Sequence, residues 1–323
     1  MTSIPAFIRP FWGTRSGAKR KSKSSGVQRR APLNFNDARD NLYAFGKLWA
    51  TYDEKPVYSA FHGLMFAMIG DQRLKPLFGY TGFGNFQAKL LDNGNVRLRG
   101  KETGYFCDPR SGDILEHWDN PWTGERVEVF NFLNDKIRGE LSTEMPRFQF
   151  GEETDTPTLM NDGTALIKDD GSVPFILPWQ RYGDQVSLSW DYTHRYRNPV
   201  TADKWPMAST GEFINPSEHF TFSCEANELE DRDNPCARFN CGFSRLSPWW
   251  PWMRMGRSGV DGVLFGRMHS HKSNDGFADI PPKVMAYTEK HHPDYLQPCT
   301  DWDDGFPIGT WEAYARQMPA EVK

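Results

Sequence analysis

Apolar and polar residues alternate most cleanly over residues 185–197. Val186, Leu188, Trp190, Tyr192, His194 and Tyr196 share one face there, and Gln185, Ser187, Ser189, Asp191, Thr193 and Arg195 share the other. A period of two predicts a strand with one face buried. Residues 57–69 form a nearly continuous apolar run, and Gly63 with the β-branched and aromatic content makes it a buried strand rather than a helix. Between residues 86 and 132, the segments 96–106, 113–118 and 125–132 are set apart by turn signals. These are Asp92-Asn93-Gly94-Asn95, Asp108-Pro109-Arg110-Ser111-Gly112 and Asn120-Pro121-Trp122-Thr123-Gly124. Asn-Gly tolerates positive φ, and Pro after Asp or Asn presets the first corner of a turn. The segments read as a β-meander around which the rest packs. Further strands are expected at 219–226, 237–243 and 260–271.

Helical spacing is scarcer. Leu42, Phe45 and Leu48/Trp49 share a face behind Asn36 or Asp37, which predicts a capped helix to about Ala50. Residues 282–291 start at Pro and end before Pro293, and 311–318 suit a short terminal helix. Residues 135–180 are interrupted by Pro146, Pro157, Pro174 and Pro178, with turns at Asn161-Asp162-Gly163 and Asp169-Asp170-Gly171. No internal repeat of fixed period is present. The expected fold is mainly β: an antiparallel meander closing into a barrel-like or folded-over sheet, with a few peripheral helices. Residues 34–323 are expected to form a single β-rich globular domain.

Composition sharpens this picture. The 323 residues can bury a sizeable core, and 14% are aromatic, with 12 Trp, 23 Phe and 11 Tyr. Flat rings suit sheet cores and pockets for flat ligands. The formal net charge of -4 gives no global pull toward nucleic acid or an anionic membrane. Five widely spaced cysteines (Cys107, Cys224, Cys236, Cys241, Cys299) lack any CxxC, which argues against a disulfide framework and fits a reducing compartment. No run approaches the roughly 18 apolar residues that span a bilayer. The expected location is cytoplasmic. Residues 1–33 are locally anomalous: Arg15, Lys19, Arg20, Lys21, Lys23, Arg29 and Arg30 sit among Ser and Gly without an acid from 15 to 30. No apolar segment follows them, so they read as a disordered basic tail rather than an export signal.

Two stretches together carry a family resemblance. Tyr105-Phe106-Cys107-Asp108-Pro109-Arg110-Ser111-Gly112 leads to Trp118-Asp119-Asn120-Pro121-Trp122-Thr123-Gly124-Glu125. Ser247-Pro248-Trp249-Trp250-Pro251-Trp252-Met253-Arg254-Met255-Gly256 is the second. They resemble a bacterial family catalogued as domain of unknown function 1838, over about residues 35–300. The resemblance implies a single domain and no particular chemistry. Some of the family are exported, and the lack of an apolar leader sets this chain apart from them.

The chemistry therefore has to come from the residues. His194 shares its predicted face with Trp190, Tyr192 and Tyr196, where burial shifts an imidazole pKa and phenols relay protons. Trp249, Trp250 and Trp252, stiffened by Pro248 and Pro251, either line a cavity or plug one end of the sheet. Arg254 beside them suits a planar anion or an internal acid. His269 and His271, two apart on a strand, point the same way and form a weak metal candidate, with His62, His117, Glu102 or Glu116 as third ligand. Glu102 and Glu116 are acid/base candidates on neighbouring strands whose register the sequence leaves open. His291-His292 reads as a helix end. GxSxG, a phosphate loop, GxGxxG before a helix and HExxH are all absent, which disfavours the usual serine hydrolases, nucleotide enzymes, Rossmann oxidoreductases and zincins.

The leading expectation is a lyase or isomerase without cofactor, acting on an aromatic or bulky apolar small molecule by general acid/base chemistry. His194 would transfer the proton and Tyr192 and Tyr196 would position it. Arg254 would stabilise developing negative charge, and Trp190, Trp250 and Trp252 would line the pocket. The rivals are a non-catalytic β-barrel binder of an apolar ligand and a metal enzyme on His269 and His271. The expected partner is a small molecule, neither nucleic acid nor membrane, with self-association left open.

Overall fold

The computed structural model describes residues 33–148, 158–159, 168–273, 276–302 and 309–322. The chain divides into Met1–Ala31 and Pro32–Lys323, and the described residues belong to the second unit. The expectations for the basic segment 1–33 (all but Leu33) and for the Asn161-Asp162-Gly163 turn lie outside the described residues.

Helix α1 (Ala38–Trp49) forms where helical spacing predicts it. The Asp37 carboxylate accepts from the Arg39 and Asp40 amides and so caps its first turn. Strand β1 (Val57–Met68) follows, then β2 (Lys75–Leu90) and β3 (Val96–Cys107). The β2–β3 hairpin turns at Asn93-Gly94, with Gly94 at φ 86°, a conformation that Gly adopts without a Cβ clash. The expected meander stops there. Strands β4 (His117–Asp119) and β5 (Arg126–Glu128) form a separate two-stranded ribbon, and the chain rejoins the main sheet at β6 (Phe132–Leu141).

The short strands β7 (Arg147–Phe148) and β8 (Thr158–Leu159) pair with each other. Strand β9 (Trp179–Tyr182) and β10 (Gln185–Thr193) form a hairpin. The predicted strand to Arg197 breaks at His194-Arg195. Tyr196–Arg197 is a separate β11, paired with β12 (Phe213–Ile214). Then come β13 (Ser217–Glu225), α2 (Ala226–Glu230), β14 (Asn240–Ser247), a 3₁₀ turn at Pro251–Met253, β15 (Val263–Ser273), α3 (Pro282–His291) and α4 (Thr310–Gln317).

Nine strands make one antiparallel sheet in the order β6-β3-β2-β1-β15-β14-β13-β10-β9. Laid flat, β3 and β13 would stand about 24 Å apart, five steps of about 4.8 Å. Yet Phe86 and Val96 share one apolar cluster with Trp190 and Phe222, so the sheet curls until its two halves meet through the interior. The expected closed barrel is not found: among the described residues β6 and β9 remain edges and do not pair. The physical reason is what fills the curl. Trp49 of α1 touches Phe86 on one half and Trp190 and Phe222 on the other, with ring centroids 4.9–5.8 Å apart. A helix about 10 Å across, wedged between the halves, holds the edges beyond hydrogen-bonding distance.

Lys272, buried on β15, donates to the Lys47 and Ala50 carbonyls at 2.9 Å and to the Leu48 carbonyl, closing the C-terminal end of α1. Burial pulls its ammonium down to about 8. A second apolar cluster, with Phe78, Phe106, Trp250 and Trp252, fills the other end of the interior. Val284 of helix α3 and Ile280 just ahead of it cover part of the outer face against Ala60, Phe83 and Tyr105. No described helix is long and apolar enough to cross a membrane.

Candidate active site

Strand pairing puts two rows of side chains on the inner face. One runs Tyr192, Glu218, Arg245, Gly266, Met65, Phe78. The next runs Trp190, Phe220, Phe243, Met268, Gly63, Tyr80, Phe106. Glu102 lies on the same face of β3, four residues from Phe106. These rows cross the interior between the two apolar clusters. Glu102, Tyr80, Tyr192, Glu218 and Arg245 all keep partial accessibility although all face inward, so they line a cleft that solvent reaches.

Gly104 is required here. A Cβ at that position would collide with the Tyr80 hydroxyl, so only Gly lets the phenol lie across β3.

The electrostatics follow from enclosure. Arg245 pairs with Glu218 at 3.1 Å. Burial, reinforced by the Glu218 carboxylate, pushes the Glu102 carboxyl up to about 7. Burial raises the Tyr80, Tyr192 and Tyr196 phenols as well, so all three stay protonated at neutral pH. Burial, with the Arg245 charge, pulls His194 down to about 4 and keeps its imidazole neutral. Burial thus holds the Glu102 carboxyl near neutrality and leaves the His194 imidazole uncharged there.

Of the residues expected from sequence, His194, Tyr192, Tyr196, Trp190 and Trp250 gather at this site. The Tyr192 and His194 rings lie 4.8 Å apart, and Tyr192 and Trp190 5.5 Å. Arg245 is felt at both His194 and Tyr196. Arg254 is elsewhere. It takes the left-handed conformation at φ 56°, ends the 3₁₀ turn, and binds Glu125 at 3.2 Å and Glu321 at 2.6 Å. Trp252 is 2% exposed and packs on Phe106, Phe78 and Trp118 with centroids 5.0, 5.4 and 5.8 Å away, inside the plug rather than at the cleft.

Glu116 precedes the outlying β4 ribbon and is exposed, so it does not pair with Glu102. His62 stands opposite His269 with ring centroids 6.5 Å apart on the outer face, and His271 turns to Asp279 at 3.6 Å. Among the described residues no three His, Cys, Asp or Glu gather as metal ligands. All five cysteines are buried thiols. Burial pushes Cys107 up to about 11 and Cys224 and Cys241 up to about 12, which leaves them unreactive.

The site residues that sequence reasoning passed over are Glu218, Arg245 and Tyr80. A signal for the first two was present. Glu218 heads the stripe Phe220, Phe222, Cys224, and Arg245 follows Cys241 and Phe243. Each is the lone charge on its strand face.

A search of curated proteins finds no match. Among solved structures, the chain is similar to MucB in complex with MucA(peri) and to the Pseudomonas aeruginosa MucA/MucB complex. Each has 8% identity and a TM-score of 0.13, and the match covers 82% of this chain and 99% of the other. At that TM-score neither carries an argument. The family model described as protein of unknown function (DUF1838) matches residues 54–318, most of the chain and all nine strands of the curled sheet with its plug. The chain belongs to the DUF1838 family.

Proposed function

We propose that the cleft is the active site of a lyase or isomerase that moves a proton on an aromatic or bulky apolar small molecule. Glu102 is the proton-exchanging group, Arg245 stabilises developing negative charge, and Tyr80, Tyr192 and neutral His194 orient the substrate among Trp190, Phe220, Phe243 and Trp250. The observation that carries this reading is a carboxyl held at about 7 within an aromatic-walled cleft. A group with its pKa near the working pH is an efficient general acid or base. The test is proton exchange between deuterated solvent and a panel of aryl compounds, followed by NMR. Wild-type protein is expected to catalyse exchange on some members, with a rate that rises as pH passes about 7. Glu102→Gln is expected to lose about 10²-fold or more. Full exchange by that variant overturns the assignment.

A non-catalytic binder is the second reading, favoured by the Arg245–Glu218 pair, which already neutralises the strongest charges in the cleft. It predicts ligand uptake with no exchange, and equal binding by wild type and Glu102→Gln.

The two shifted groups also predict opposite pH effects on stability. Glu102 is raised in the folded state, so its protonated form stabilises the fold at low pH. That contribution is lost as pH rises from the usual carboxylate range through about 7. His194 is lowered, so its contribution is present above the usual histidine pKa and is lost as pH falls toward about 4. Thermal midpoints from pH 4 to 8 are expected to rise more steeply with pH in Glu102→Gln than in wild type. In His194→Asn they are expected to fall more steeply. Parallel curves for all three proteins contradict the burial of both groups.

A further inference from the structure

We propose that the bare end of the outer sheet face is a dimer interface, covered in solution by the same face of a second copy of this chain. Val284 and Ile280 roof the outer face over Ala60, Phe83 and Tyr105. Residues 64–68 of β1 and 263–267 of β15 carry no such cover among the described residues. Alternate side chains there are apolar and point outward, because Met65, Ala67 and Leu264 between them are buried on the inner side. Strand pairing sets them in two adjacent rows. Phe66, Phe265 and Leu246 form one; Met68 and Val263 form the next, with Leu74 level with Met68 because Lys75 pairs with Ala67. Leu64, Met68, Leu74 and Leu246 are 36–43% exposed, and they are four of the seven large apolar side chains exposed among the described residues. Single exposed apolar residues need no explanation, but a majority gathered on one patch marks an interaction surface.

Charge identifies the occupant. Arg267 stands beside Leu64 at one margin of the rows, and Asp261, of the same parity along the chain, precedes β15 at the other. Both are exposed, and neither side chain has an ion-pair or hydrogen-bond partner among the described residues. A two-fold axis in the plane of the interface, crossing the strands at the level of Ala67 and Leu264, turns each row onto the other. Phe265 then faces Val263 of the second copy, Phe66 faces its Met68, and Arg267 faces its Asp261. The patch is self-complementary in apolar surface and in charge. An anionic bilayer does not match it, since Asp71 and Asp261 sit exposed at the same margin. The outer side of a curled sheet is convex across its strands, so contact is confined to this strip and the dimer is expected to dissociate in the micromolar range.

Analytical ultracentrifugation of the full chain across micromolar concentrations is expected to show a reversible equilibrium between monomer and dimer. Leu246→Glu puts a carboxylate into the apolar part of the contact and is expected to weaken the dimer about tenfold or more. Its thermal midpoint, measured where wild type is monomeric, is expected to match wild type, because Leu246 is already exposed on the single chain. Arg267→Asp and Asp261→Arg each set like charges face to face and are expected to weaken the dimer several-fold. Combining the two reversals restores both pairs and is expected to restore the affinity. A chain that stays monomeric up to submillimolar concentration, a dimer untouched by Leu246→Glu, or a double reversal no tighter than the single ones overturns the proposal. So does a monomer that instead sediments with vesicles of phosphatidylcholine and phosphatidylglycerol, which would assign the patch to a lipid surface.

Discussion

Replacing Trp252 with Ala is expected to destabilise the protein by about 3–5 kcal/mol, the range for truncating a fully buried large aromatic. The side chain is 2% exposed and wedged among Phe78, Phe106 and Trp118. The adjacent backbone is pinned as well, because the Asn120 side-chain amide donates to the Met253 carbonyl at 2.8 Å. Removing the ring opens a cavity that two prolines and this hydrogen bond keep from collapsing. Urea denaturation is the measurement. A loss below about 1 kcal/mol would mean that the segment is a loosely packed cleft wall and not a plug.

Arg245→Met is expected to cost about 3 kcal/mol, because it leaves Glu218 as a largely buried carboxylate near Glu102 without its counter-ion. The sharper forecast concerns the double variant Arg245→Met/Glu218→Gln. With both charges gone, no isolated anion remains, so the double variant is expected to be more stable than Arg245→Met alone. Additive losses in the cycle would show that the two groups do not act as a pair. Raising Arg245→Met to high pH is expected to worsen its defect, since Glu102 then ionises beside an unbalanced Glu218. Denaturation at pH 5 and pH 8 separates this from a simple packing loss.

The first forecast concerns a residue that the sequence places differently, at a pocket wall, and the second one that it passes over, since Arg254 and not Arg245 is expected at the anion. The segment Trp249-Trp250-Pro251-Trp252 announces buried rings, but not which ring borders the cleft. That is decided by the 3₁₀ turn, which carries Trp252 inward, and by the left-handed backbone at Arg254, which turns its side chain to Glu125 and Glu321. The guanidinium at the cleft belongs to Arg245, nine residues earlier, on β14 and two residues past the end of the strand expected at 237–243.

The sequence by itself determined the local elements. Asp37 ahead of Leu42, Phe45 and Leu48 fixes α1, and the apolar run starting at Val57 fixes β1. Alternation from Gln185 fixes β10 and puts Trp190 with Tyr192, and Pro282 starts α3. These depend on contacts within a few residues, so periodicity and caps reveal them. Tertiary structure alone decided the curl, the open edges and the site. Glu102 and Glu218 are 116 positions apart and five strands distant in the sheet, and they influence each other only because the sheet bends around α1. Register and curvature come from packing between strands remote in sequence, and no local pattern encodes those contacts.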